Sequence, residues 1–125
     1  MPFIPWAKQA RYTPGQVWGA PGVNPADLNP RPHSPLATSN GLVGAFSADE
    51  AWVFATAWQP YQELFQGVAR CLHSDFRLGG LQPGEGKTIR GSIYLMPNQP
   101  GMLLARYRLD FPEHFPKPSP RLATP

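Results

Sequence analysis

The residues best suited to chemistry stand close together in the chain: His73, Asp75 and Arg77, spaced i, i+2, i+4. On an extended strand that spacing turns all three side chains to one face. An imidazole beside a carboxylate is the pair that general acid–base chemistry uses, because the carboxylate fixes the tautomer and raises the ring's basicity. A guanidinium on the same face would hold an anionic or hydroxyl-rich ligand. The same residues also suit a solvent-facing strand end that satisfies itself with an inert ion pair. Cys71, two residues before His73, makes a thiol–imidazole pair conceivable. Neighbours on one strand face seldom reach the geometry that nucleophilic catalysis needs, so the expectation is a small buried core thiol.

A second group crowds the turn at Pro60: Trp58, Gln59, Tyr61 and Glu63. Aromatic rings beside amide and carboxylate groups are the parts of a sugar platform, with rings stacking on pyranose C–H groups and polar groups meeting hydroxyls. The competing reading is that Trp58 and Tyr61 are core or interface rings. A metal site is not expected. His33, His73 and His114 are far apart, and no Cys or His pair has ligand spacing. Gly86-Lys87-Thr88 resembles the end of a phosphate loop, but Leu81 occupies the position of the required first glycine. The segment that follows reads as a strand, not a helix, so no nucleotide or other cofactor is expected.

The elements that must position these residues belong to a chain of 125 residues, 42% of them apolar, which suits one compact domain. Seventeen prolines and twelve glycines favour turns and extended segments over long helices. The net charge of +3 is spread thinly, without the concentrated basic face of a nucleic-acid binder. The single cysteine rules out an intramolecular disulfide and favours a reducing compartment. Met1 to Ala10 lacks the pattern of a secretory leader, and no apolar run reaches the roughly 18 residues of a membrane span. A cytoplasmic protein with no membrane and no nucleic-acid partner is the expectation. A chain that opens in a proline-rich stretch could also be a piece of a longer protein.

Residues 1–40 carry prolines at intervals that no helix interior or central strand accepts, yet Phe3, Ile4, Trp6, Tyr12, Val17 and Trp18 lie among them. This composition reads as an extended arm that packs on the body of the domain or on a partner. A disordered tail with incidental aromatics is the alternative. Residues 41–115 form the β domain and residues 116–125 a tail. Gly41 to Ser47 and Ala51 to Trp58 are strand-like runs joined by a polar turn, a hairpin. The second run alternates bulky Trp52, Phe54 and Trp58 with small Ala51, Ala55 and Ala57, which suggests burial on both faces. Tyr61 to Gln66 reads as a turn or one helical turn, and Gly67 to Phe76 as a third strand. Lys87 to Met96 is a fourth, with Ile89, Ile93 and Leu95 expected inward. Asn98 can cap a helix near 99–111 whose Leu103, Leu104, Tyr107 and Phe111 form one apolar stripe. The fold class is therefore mostly β: an antiparallel β-sandwich or partial sandwich, with one short C-terminal helix and proline-rich terminal arms.

The strings HSDFRLGGLQPGEGKTIRGSIYL and LLARYRLDFPEH resemble the C-terminal β-sandwich portion of galactose-mutarotase-like carbohydrate-active proteins, in which a Pro-Gly-Glu turn leads into an outer strand. The resemblance covers about residues 58–111, under half the chain. The family's catalytic His/Glu pair has no match at numbered positions here. The resemblance implies a carbohydrate ligand, and the residue types and spacings above make Trp58, Tyr61, Glu63, His73, Asp75 and Arg77 the candidate binding residues. Three functional readings follow. The first is a non-catalytic β-sandwich module that binds carbohydrate or packs on a partner domain. The second is a small sugar-acting enzyme using His73 and Asp75 as its acid–base pair. The third is a structural or assembly protein that docks, as a homo-oligomer or on another chain, through residues 1–40.

Overall fold

The computed structural model describes residues 16–66, 71–76 and 78–115. They form two three-stranded antiparallel sheets and one helix, a partial β-sandwich. In chain order the strands are β1 (Val17–Gly19), β2 (Leu42–Phe46), β3 (Trp52–Gln59), β4 (Glu63–Gln66), β5 (Leu72–Asp75) and β6 (Arg90–Pro97), followed by α1 (Pro100–Asp110). One sheet has the order β1-β4-β5 and the other β2-β3-β6.

The hairpin read from the sequence is β2 and β3, paired from Leu42–Ala57 to Phe46–Val53 across the turn at Ser47–Glu50. Asp49 secures that turn: its carboxylate accepts from Ser47 Oγ and from the Ala51 amide. β6 pairs with β3 along its whole length. The small side chains of β3 face α1, so that Ala55 and Ala57 bring the helix close to the sheet. The main core lies between these two layers: Leu42, Val53, Ala55, Ala57, Tyr94, Leu103, Tyr107 and Phe111.

Four local expectations are corrected. Trp52 and Phe54 are exposed, so β3 is not buried on both faces. On β6 it is Tyr94 that turns to the core, while Ile93 (68% exposed) and Leu95 (69%) turn out. Tyr94 can lie inward because its hydroxyl donates to the Asp110 carboxylate at 2.9 Å, so its polar end is satisfied. Residues 63–66 are strand β4, not a turn. Asn98 does not cap α1: its amide donates to the Glu50 carbonyl, and Gln99 stands at the cap without a side-chain hydrogen bond.

Residues 17–34 are part of the body. β1 pairs with β4, and Val17, Leu28 and Phe65 form a second small core under a 3-10 turn at Pro25–Asp27. Residues 1–15, which hold Phe3, Ile4, Trp6 and Tyr12 of the arm, and residues 116–125 lie outside the described residues.

Candidate functional site

β5 lies antiparallel to β4, with His73 opposite Phe65 and Asp75 opposite Glu63. Phe65 is anchored in the second core, and the His73 ring lies flat on it, centroids 4.1 Å apart and planes within 5°. The Arg31 guanidinium stands over the same Phe65 ring at 5.4 Å. This stack fixes the imidazole. Its Nε2 is 2.9 Å from Cys71 Sγ, and its Nδ1 is 3.9 Å from Asp75 Oδ1, an ion-pair distance that is too long for a hydrogen bond. Asp75 is held through its backbone, whose carbonyl accepts from the Gln62 amide at 2.9 Å. Cys71 is exposed, which overturns the expectation of a buried core thiol. The period-two spacing thus brings together Cys71, His73 and Asp75, while Arg77 lies outside the described residues.

The aromatic group does not join them. Leu72 turns toward the second sheet, where it lines a groove of about 620 Å³ with Ala45, Phe54, Thr56 and Ile93. Alternation therefore places His73 on the other face of β5. Trp58 packs against Phe76, centroids 5.5 Å apart, and its ring covers Gly91 so closely that a Cβ there would run into it. Tyr61 is partly buried: its hydroxyl pairs with Thr38 Oγ1 at 3.0 Å, and its ring meets His114 edge-on. Burial of this hydroxyl raises its pKa above the ordinary tyrosine value. Glu63 is fully buried, its Oε2 accepting from the Asn29 amide at 2.7 Å. Gln59 and Tyr61 both meet His114, whereas Trp58 packs on Phe76 and Glu63 is buried against the Asn29 amide, so the four do not form one shared surface.

A second polar cluster was not anticipated. His114, just beyond α1, is wedged among Tyr61, Tyr107 and Phe111. With Gln59 Oε1 as acceptor at 2.6 Å, His114 Nε2 carries the proton, and Nδ1 accepts from the Tyr107 hydroxyl. The Tyr107 oxygen in turn accepts from the Gly41 amide at 2.9 Å. Every member is satisfied with a neutral imidazole, and burial pulls the His114 pKa below its ordinary value. Burial also pushes the Tyr107 hydroxyl well above the usual tyrosine range. Such a closed network locks the sheet to the end of the helix. The residues it joins span 41 to 114, so no local spacing announces it.

Among the described residues no cluster of His, Cys, Asp and Glu is arranged to hold a metal ion, and no helix is long and apolar enough to cross a membrane. No protein family, curated protein or solved structure matches the chain.

Proposed function

We propose that this chain is a non-catalytic interaction module that packs on a partner through the outer face of β3 and β6, the partner being a second copy of the chain. The supporting observation is the exposure of Trp52 (49%), Phe54 (42%), Ile93 and Leu95 on that face. Phe54 and Leu95 are direct cross-strand neighbours, and Ile93 lies beside them opposite Thr56, so the patch is continuous. Rings and aliphatic chains clustered in this way on a surface mark interaction sites.

The choice of a second copy rests on β6, which is an edge strand among the described residues. Natural sheets guard their edges with shortness, inward charges, proline or bulges. β6 runs for eight residues, with Arg90 its one charge and Pro97 only at its end. Antiparallel pairing of β6 with its own copy about Tyr94 would set Ile93 beside the copy's Leu95 on the outer face and each Arg90 opposite Asn98, just past the far strand's end, so no like charges would face each other. The paired sheets would then carry one apolar stripe.

Sedimentation of the parent chain and of the double variant Ile93→Asp, Leu95→Lys tests this reading. Dimerisation that strengthens with concentration in the parent and disappears in the variant is expected. A parent that stays monomeric throughout overturns it. The exposed rings of Trp52 and Phe54 also support a second reading, the carbohydrate ligand that the mutarotase-like resemblance implies. A monomer that binds glycans, and loses them on Trp52→Ala, would favour that reading.

A further inference from the structure

We propose that Cys71, His73 and Asp75 form a nucleophilic thiol site that exchanges with small disulfides and so carries a reversible mixed disulfide. The three groups stand in the order that nucleophilic catalysis uses: an exposed thiol, a base within hydrogen-bond reach of it, and a carboxylate beside the base. The base is held in place. Its ring is stacked on Phe65, which is itself fixed in the small core with Val17 and Leu28. The site lies on the opposite face of β5 from the groove, so it does not depend on the association surface.

The chemistry follows from these positions. His73 Nε2 takes the Cys71 thiol proton, and the resulting thiolate is the attacking species. The Nδ1 side of the ring then stands 3.9 Å from the Asp75 carboxylate. The thiolate attacks one sulfur of a disulfide RSSR. A bond forms between Cys71 Sγ and that sulfur, the original S–S bond breaks, and the departing RS⁻ takes the proton held on Nε2. Cys71 is oxidised to the mixed disulfide, and half of RSSR is reduced to RSH. The chain has one cysteine, so it holds no second thiol to resolve the adduct, which persists until an external thiol removes it.

Oxidised glutathione added to the full chain, with intact mass as the readout, tests the site. The native chain should acquire one glutathionyl group about tenfold faster than the same chain unfolded in urea at the same pH. His73→Ala should lose that advantage, and free imidazole in the buffer should restore part of it, which a purely structural role for His73 would not allow. Asp75→Asn should reduce the rate less than His73→Ala. Native and unfolded chains reacting alike, or a folded His73→Ala variant as fast as the parent, would overturn the proposal. Should His73→Ala fail to fold, the comparison of native with unfolded parent decides alone.

Discussion

His73 and His114 show how surroundings divide one residue type between two tasks. His73 lies on a partly exposed strand beside a thiol and a carboxylate, whereas His114 closes a network that is complete only with a neutral ring. The sign of the pH effect follows from the direction of the His114 shift. Its folded pKa lies below the ordinary 6.5, so the unfolded chain takes up the proton first. The stability this provides is fully present above the unfolded value and is lost as pH falls through the folded one. Melting temperature should therefore be flat above about pH 7 and decline as pH drops below about 6.5. His114→Asn should flatten the decline, and an unchanged slope in that variant would assign the effect to other groups. At Gly91 the Trp58 ring occupies the space of a side chain. Gly91→Ala should cost about 1–3 kcal/mol as the ring is displaced, visible in chemical denaturation together with altered tryptophan fluorescence. The shared strand face of Cys71, His73 and Asp75 was legible because a period of two is local, but the exposure of Cys71 was not, because spacing says nothing about burial. The network of Gln59, Tyr107 and His114 was not, because only the packing of α1 on β3 brings its members together.

Strands β3 and β6 were legible as elements but not in their facing. Alternation in β6 is clear in the sequence, and the more apolar set, Ile93 and Leu95, was the natural choice for the core. The helix reverses that choice: α1 packs on the face of Tyr94, whose hydroxyl reaches Asp110. Hydropathy alone cannot register that a tyrosine has a buried partner. The consequence is measurable. In dilute samples Ile93→Asp should change stability by no more than about 0.5 kcal/mol, as an exposed substitution does. Leu103→Ala, in the fully buried stripe of α1, should cost about 2–5 kcal/mol. Equal losses by urea denaturation would mean that both faces of the sheet are core. β1 and β4 escaped notice for a different reason. At three and four residues they are too short to show a period, and each becomes a strand through its partner in the β1-β4-β5 sheet.

At the level of the whole molecule, among the described residues two small sheets and one helix leave Trp52, Phe54, Ile93 and Leu95 exposed on one face. α1 covers the inner face of β2-β3-β6, and β5 approaches part of the outer face. The rest of that face, together with the open edge of β6, is where a second copy would sit. Pairing along β6 would close that edge and bring the Ile93 and Leu95 side chains of the two copies against one another across it. Amide hydrogen exchange along Arg90–Pro97, followed as a function of protein concentration, tests this most directly. The amides of β6 that point away from β3 should be protected at high concentration and lose that protection on dilution, and in the Ile93→Asp, Leu95→Lys variant they should exchange fast throughout. Fast exchange of these amides at every concentration of the parent, or protection appearing on a different strand, would show that β6 is not the surface on which the molecule associates.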